Sequence, residues 1–124
     1  MINLRRLGKS FKYAFSGLKK IFGEEQNFRF HVIFAIFVFA LAAFLRIQLW
    51  QLIILILAVC LVFVLEIINS IFERLLDLLK PRMHQYVKDI KDMGAALVFV
   101  GVLTAIAIGL IIFLPYFYKL LFIN

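Results

Sequence analysis

Five polar residues follow one another at helical spacing where the apolar segment 49–71 ends: Glu66, Asn69, Ser70, Glu73 and Asp77. At about 3.6 residues per turn they fall on one face of a continuous helix. A carboxylate at membrane depth is costly, so an acidic face there indicates a functional site. The alternative is a polar face that joins helices by hydrogen bonds, which usually needs Asn, Ser or Gln rather than three carboxylates. We refer to these five residues as the acidic face.

The residue types in and near the acidic face favour Mg²⁺ and phosphate. The sequence has no G-x-x-x-x-G-K-[ST] loop, no G-x-S-x-G elbow and no H-E-x-x-H pair. His31 and His84 are too far apart in the sequence to argue for zinc. Mg²⁺ takes one or two protein carboxylates and completes its shell with water and phosphate oxygens. Carboxylates, lysines and an amide are typical of phosphoryl transfer. A proton- or cation-coupled transporter is an equal alternative on these grounds.

The composition indicates a membrane protein. Of the 124 residues, 65% are hydrophobic, and the mean hydropathy is +1.05. Soluble domains contain about 45–50% apolar residues, and a chain of this size cannot hide so large an excess in its interior. We therefore expect an all-α membrane protein with a single domain over residues 1–124. Cys60 is the only cysteine, which excludes a disulfide framework.

Three apolar segments predict three transmembrane helices. The first covers residues 30–47 and is short for a bilayer core of about 30 Å. The second covers 49–71, and its helical pattern continues in the cytoplasm to residue 79, shortly before Pro81. The third covers 94–115, and we expect it to end at Leu114-Pro115, before an aromatic belt over residues 116–118.

The segment 1–23 has the pattern of an amphipathic helix. Its apolar residues, among them Leu7, Phe11 and Phe15, occupy about a third of the helical wheel at about 100° per residue. Basic residues, among them Lys9 and Lys12, occupy the opposite side. This pattern is typical of a helix that lies in the headgroup plane with its cations toward anionic lipid. The alternative is an amphipathic helix packed on protein, for which the sequence offers no soluble core.

The basic residues predict the orientation of the chain in the membrane. Of 14 Lys and Arg residues, seven precede the first span and five lie between the second and third, so only Arg46 and Lys119 remain for the other side. By the positive-inside rule the N-terminus and the loop after the second span are cytoplasmic. We therefore expect a multi-pass membrane protein with its acidic face toward the cytoplasm and its C-terminus outside.

The acidic face and a later segment resemble the signature of one bacterial family. Residues 66–77 match E-x-x-N-[ST]-x-x-E-x-x-x-D, and residues 91–96 match K-D-x-[GA]-[SA]-A. This pattern is similar to that of the small integral-membrane lipid kinases, the prokaryotic diacylglycerol kinases and undecaprenol kinases. The resemblance covers nearly the whole chain. It implies a homotrimer of three-helix subunits that uses Mg²⁺ and ATP to phosphorylate a lipid alcohol at sites between neighbouring subunits.

The resemblance also implies roles for individual residues. Glu66 matches the catalytic base, which takes the proton of the lipid hydroxyl, and Glu25 and Glu73 match the ligands of the metal that carries the nucleotide. The positions that match nucleotide contacts are Arg6, Tyr13, Glu25, Asn69, Glu73, Asp77, His84, Lys91 and Asp92. The positions implied for the lipid acceptor are Glu66, Ser70, Arg29, His31 and Ala95.

Two branches of the family differ in the acceptor that their sequences imply. Residues 27–31 read N-F-R-F-H and resemble the undecaprenol kinases, whereas the diacylglycerol branch has Glu in place of His31. The stretch 109–115 also resembles the undecaprenol branch, but 91–94 is closer to the diacylglycerol enzymes. We expect undecaprenol as the acceptor, with diacylglycerol as the alternative, and no nucleic-acid partner. A coupled transporter would place its carboxylates near the membrane midplane, so their position near one end favours an enzyme.

The topology gives a first testable prediction. A reporter fused after the last residue, Asn124, should be detected outside the cell, and a reporter inserted at Gln85 should be detected in the cytoplasm, because the basic residues mark the cytoplasmic side. Paired enzymatic reporters that are active on opposite sides of the membrane provide the measurement. Detection of both sites on the same side would refute the three-span topology.

Overall fold

The structure is a computed structural model that describes residues 1–80, 82 and 84–123. These residues form four α-helices: α1 (Leu4–Glu24), α2 (Gln26–Leu45), α3 (Leu49–Asp77) and α4 (His84–Phe122). Helices α2, α3 and α4 are each long and apolar enough to cross a membrane. The expected all-helical chain, with one helix before three apolar ones, is confirmed. Pro81, which we associated with the end of the second span, lies outside the described residues.

Helix α1 presents its apolar side chains to the exterior. The Asn3 side chain accepts a hydrogen bond from the Arg6 backbone N–H at 3.2 Å and so caps the first turn. The helix ends at Glu24, and the next residue, Glu25, is extended with φ −104°. None of the α1 residues, all of which the structure describes, is buried. The apolar side, with Leu7 and Phe11, is therefore not covered by protein, which is the exposure that a helix on a membrane surface needs.

A tight turn joins α2 to α3. Arg46 adopts the left-handed conformation, with φ 52° and ψ 53°, and the Ile47 N–H donates to the Ala42 carbonyl at 3.3 Å. This is the Schellman arrangement, which most often has glycine at the left-handed position. Gln48 is the N-cap of α3, and its backbone N–H donates to the Gln51 side-chain oxygen at 3.0 Å.

The helices pack through small side chains and a compact apolar cluster. Ala42, Leu55, Ile112 and Phe113 form this cluster where α2, α3 and α4 meet near the turn. Further toward the acidic face, Gly101 of α4 lies against Leu65 of α3 so closely that an added Cβ would collide with the leucine methyl. Small residues at such contacts allow transmembrane helices to approach each other. Most other large apolar side chains are exposed, as expected for surfaces that face lipid or other subunits.

The last helix differs most from expectation. It begins at His84, ten residues before the predicted span, and continues through Pro115 to Phe122. Proline removes one backbone N–H and so leaves the carbonyl of Ile111 without its usual partner. Transmembrane helices tolerate this because neighbouring groups can satisfy the freed carbonyl. The expectation that the helix ends at Leu114-Pro115 was therefore wrong.

Smaller differences concern the other two spans. Helix α2 begins at Gln26 rather than residue 30, and α3 ends at Asp77, two residues before the predicted end of its cytoplasmic extension. With 29 residues in α3 and 39 in α4, the two helices are about 44 and 58 Å long at about 1.5 Å per residue. Both exceed a hydrocarbon core of about 30 Å. The part of α3 that carries the acidic face therefore extends beyond it.

The close approach of α3 and α4 gives a prediction on stability. Gly101→Leu should lower the free energy of unfolding by about 1–3 kcal/mol, because the larger side chain must displace Leu65. Gly109→Leu on the same helix is the matched control, since no atom lies within 4 Å of a Cβ at Gly109. Unfolding of both variants in detergent, followed by helical circular dichroism, measures the difference. Equal stability of the two variants would show that the contact at Gly101 does not limit packing.

Candidate active site

Glu66 is buried between two membrane helices and contacts a histidine. Among the described residues, Glu66 and Ser70 are the buried polar side chains, with 5% and 3% of their surface exposed. The Glu66 Oε1 atom lies 3.0 Å from Nε2 of His31 on α2. Phe28 and Phe63 pack beside this pair with ring centroids 5.4 Å apart. A buried carboxylate without a partner is strongly unfavourable, so the imidazole of His31 is what allows Glu66 to lie there.

Two further carboxylates lie near Glu66. Glu25, at the start of α2, and Glu73, two turns along α3, are both close enough to act electrostatically on Glu66. The acidic face and the junction of α1 and α2 therefore converge on one region. This brings together the predicted base, Glu66, and the two predicted metal ligands, although Glu25 comes from a different helix.

Arg74 joins the end of α1 to α3 beside this region. Its Nη2 atom lies 2.6 Å from Glu24 Oε2 and 3.7 Å from Glu25 Oε1. The Arg74 guanidinium holds the pKa of the Glu24 carboxyl below its ordinary value, because the hydrogen bond stabilises the carboxylate. The Glu24–Arg74 ion pair is therefore present at neutral pH and is lost only when Glu24 takes up a proton in acid.

The carboxylates near Glu66 are of the side-chain type that Mg²⁺ binds. No group of three or more His, Cys, Asp or Glu side chains with metal-binding spacing occurs in the described part of the chain. A preformed metal centre is therefore not present in those residues. Mg²⁺, however, needs only one or two protein carboxylates when phosphate oxygens and water supply the rest. Glu25 and Glu73 offer such oxygens near the buried Glu66.

The two signature segments lie against each other. The Asn69 side chain packs on Gly94 so closely that an added Cβ there would collide with Asn69 Oδ1. One turn further, the Lys91 ammonium lies 2.7 Å from Asp77 Oδ1. Lys88 and Asp92 form a longer pair at 3.5 Å on the outside of α4. Asn69 and Asp77 of α3 thus lie against Gly94 and Lys91 of α4, whereas Asp92 is exposed and pairs with Lys88.

Other predicted site residues are not in contact with this region. Arg6 and Tyr13 are exposed on α1, and His84 is exposed at the start of α4. Ala95 is exposed on α4. The predicted roles of these four residues are not tested by the structure.

Arg29 has a different environment from the one implied for a lipid contact. Its guanidinium Nη1 donates to the carbonyls of Phe22 and Gly23, at 3.0 and 2.8 Å. These are carbonyls of the last turn of α1, which has no continuing helix to satisfy them. Arg29 therefore fixes α1 to α2. Sequence reasoning missed this cap and also the His31–Glu66 contact, since each joins two helices and no spacing within one helix reveals it.

An apolar groove leads along the helices to His31. It has a volume of about 330 Å³ and lies between α2, α3 and α4. It begins near Leu55 and Phe113 and reaches Val62 and Phe63, one turn before Glu66. Among the described residues that line it, His31 is the only polar one. The groove therefore joins the membrane interior to the His31–Glu66 pair.

Comparison with known proteins identifies the class of this fold and site. The family model for prokaryotic diacylglycerol kinase matches residues 12–113. The class is therefore that of multi-pass membrane lipid kinases. Within it, the chain belongs to the prokaryotic diacylglycerol kinase family, as the resemblance of the acidic face implied.

Three relatives show how far the similarity extends. The chain is 32% identical over 107 residues to a diacylglycerol kinase of Synechocystis sp., with 86% of the chain and 61% of that protein covered. It is 33% identical over 112 residues to the undecaprenol kinase of Bacillus subtilis, with 90% and 91% covered. It is 35% identical over 99 residues to a diacylglycerol kinase of Helicobacter pylori, with 80% and 77% covered. The chain thus spans less than two thirds of the first relative but nearly all of the second.

The buried pair gives a prediction on stability. His31→Ala should lower the free energy of unfolding by about 1–3 kcal/mol, because it leaves Glu66 buried without its partner. His31→Gln should restore most of the loss, since its amide N–H can replace the imidazole Nε2 as a donor. The control is His84→Ala, which removes an exposed histidine and should change stability by no more than about 0.5 kcal/mol. Equal unfolding midpoints for the two alanine variants would refute a stabilising role for His31.

Proposed function

We propose that this protein transfers the γ-phosphoryl group of Mg·ATP to the hydroxyl of a membrane lipid alcohol, and that undecaprenol is the acceptor. The observation that carries the proposal is the position of Glu66, a buried carboxylate beside the polar end of an apolar groove between membrane helices. A lipid alcohol in that groove brings its hydroxyl to His31 and Glu66, while the charged residues of α3 and α4 lie on the side from which a soluble nucleotide arrives.

The proposed reaction uses Glu66 as a general base. The oxygen of the lipid hydroxyl attacks the γ-phosphorus of ATP, and the bond between that phosphorus and the β,γ-bridging oxygen breaks to release ADP. The hydroxyl proton passes to Glu66 as the new P–O bond forms. His31, at 3.0 Å from one carboxylate oxygen, orients Glu66 so that its other oxygen can face the hydroxyl.

The remaining charged residues hold the nucleotide. Glu25 and Glu73 would hold Mg²⁺, which would supply positive charge against the negative charge that develops during transfer. Asn69 and Asp77 on α3, with Lys91 and Asp92 on α4, border the same region and would contact the nucleotide. Arg6, Tyr13 and His84 would reach it from α1 and from the start of α4.

Assembly as a homotrimer would complete this site. The described helices leave large apolar side chains exposed along all three spans, among them Phe37, Leu57 and Phe99. A single layer of three helices is too thin to enclose both ATP and a lipid headgroup. Neighbouring subunits would cover part of these apolar faces and close the site. By the positive-inside rule, this site would lie on the cytoplasmic side of the membrane.

The character of the groove supports undecaprenol over diacylglycerol. An isoprenol has a single polar group, which His31 and Glu66 can satisfy. Diacylglycerol adds two ester carbonyls beside its hydroxyl, and burying carbonyls without donors is unfavourable. Among the described residues, the groove offers only His31 as a polar lining side chain. Similarity to relatives does not separate the two acceptors, because the chain is 33% identical to the undecaprenol kinase of Bacillus subtilis and 35% identical to the diacylglycerol kinase of Helicobacter pylori.

Three charge-neutralising variants test the proposed roles. Glu66→Gln should lower lipid phosphorylation by at least about 10²-fold, the contribution typical of a general base, while binding of Mg·ATP stays near that of the unmodified protein. Glu73→Gln should instead raise the Mg²⁺ concentration needed for half-maximal rate, because an amide offers less charge to a hard cation. Glu24→Gln removes an equal charge nearby and should leave both quantities unchanged. Rates with undecaprenol and with diacylglycerol are measured on the same preparation.

The possible results separate the parts of this proposal. Turnover of Glu66→Gln within a few-fold of the unmodified protein would show that the base is another residue. An unchanged Mg²⁺ dependence of Glu73→Gln would remove it as a ligand. Faster phosphorylation of diacylglycerol than of undecaprenol would correct the acceptor. Failure of the unmodified protein to phosphorylate either lipid would refute the kinase activity.

A further inference from the structure

A second pocket, lined mainly by polar side chains, lies at the end of the helices opposite Glu66. It has a volume of about 380 Å³ and forms where the turn between α2 and α3 meets the last turns of α4. Its lining residues come from both parts: Arg46, Gln48, Gln51, Pro115, Tyr116 and Lys119. None of these residues has a role in the proposed reaction. We refer to them as the distal pocket.

The hydrogen-bond acceptors of the distal pocket's two glutamines are already in use. The side-chain oxygen of Gln51 accepts from the Gln48 backbone N–H at 3.0 Å and from the Tyr116 hydroxyl at 2.5 Å. The Trp50 indole N–H donates to the side-chain oxygen of Gln48. Because backbone and indole N–H groups can only donate, they fix which end of each amide is the oxygen. The two glutamines can still donate hydrogen bonds to a ligand through their side-chain amide N–H groups.

The distal pocket also carries two positive charges, those of Arg46 and Lys119. Among the ion pairs of the described residues, none includes Arg46 or Lys119. The acidic residues of the sequence all lie at or before Glu25 or between Glu66 and Asp92, which is at the other end of the helices. The distal pocket therefore presents ammonium, guanidinium and amide donors without a carboxylate, and such a set selects an anion.

Arg46 occupies a backbone position that favours glycine. Its φ of 52° is the only positive φ among the described residues that are not glycine. Left-handed backbone is unfavourable for residues with a Cβ, and glycine is the usual choice at this place in a Schellman turn. Replacing Arg46 by glycine should therefore remove the positive charge without disturbing the turn, because glycine suits the left-handed conformation better.

We propose that the distal pocket binds the phosphate of an anionic phospholipid in the leaflet opposite the active site. Exposed apolar side chains surround it, including Leu49, Trp50 and Leu114, and these can contact acyl chains while the pocket holds the headgroup. A free phosphate would use the donors but not the apolar surface. Basic pockets between membrane helices are suited to anionic headgroups. This inference does not rest on the kinase activity.

Trp50 allows a direct test, because it is the only tryptophan of the chain and donates to a pocket residue. The full-length protein is placed in phosphatidylcholine nanodiscs that contain equal mole fractions of either brominated phosphatidylglycerol or brominated phosphatidylcholine. Quenching of Trp50 should prefer the brominated phosphatidylglycerol. Arg46→Gly and Lys119→Gln should each reduce this preference about fivefold, the factor for a basic residue near an anionic lipid surface. Lys20→Gln on α1 removes the same charge elsewhere and should retain it.

Stability and inorganic phosphate provide the remaining controls. Arg46→Gly should unfold no earlier than the unmodified protein, so a lost preference cannot be attributed to misfolding. Inorganic phosphate, added at constant ionic strength, should leave the preference unchanged. Three results would each overturn the proposal: equal quenching by both brominated lipids in the unmodified protein, an undiminished preference in Arg46→Gly and Lys119→Gln, or loss of the preference on addition of inorganic phosphate.

Discussion

The burial of one carboxylate beside one imidazole is the constraint on which the rest of this structure depends. Glu66 is nearly inaccessible and lies 3.0 Å from His31, so α2 and α3 must stay in one register for the contact to exist. Removing a buried carboxylate from water costs several kcal/mol unless a partner compensates. The same region holds Glu25, because Arg29 fixes the end of α1 to α2 and Arg74 joins α3 to the junction between them. The position of the acidic face relative to the first membrane helix is thus set by a few polar contacts.

Helix α3 connects two environments because it is longer than the membrane is thick. Its first part, around Leu55 and Val62, packs in apolar surroundings and lines the groove. Its last part carries Glu73 and Asp77, which are charged and need water, cations or phosphate nearby. Glu66 lies at the boundary, where a group can be buried and yet adjoin a polar region. The proposed transfer between a soluble nucleotide and a lipid hydroxyl would need a base at such a boundary, and a continuous helix would give that base a rigid position.

The sequence predicted those parts of the structure that are governed by periodicity within one helix. The amphipathic pattern before residue 24 predicted α1, and the spacing from Glu66 to Asp77 predicted the acidic face. The start of α4 at His84 was missed because residues 84–93 include four charged side chains and so lack the continuous apolar run of a predicted span. The passage of α4 through Pro115 was missed because proline usually ends a helix in water. Contacts between helices, such as Asn69 on Gly94, depend on how the helices pack and have no local signal.

The two ends of the helices offer phosphate two chemically different environments. Beside the acidic face, the carboxylates of Glu25 and Glu73 would repel an anion, and a divalent cation bound there would reverse that local charge for a phosphate group. At the distal pocket, Arg46 and Lys119 act with amide donors and no carboxylate, so a phosphate needs no metal. The difference follows from the sequence, because its acidic residues are confined to one end of the three spans. The asymmetric distribution of the acidic residues thus separates one end of the helices, where a phosphate would meet carboxylates, from the distal pocket, where it would meet cations and amide donors.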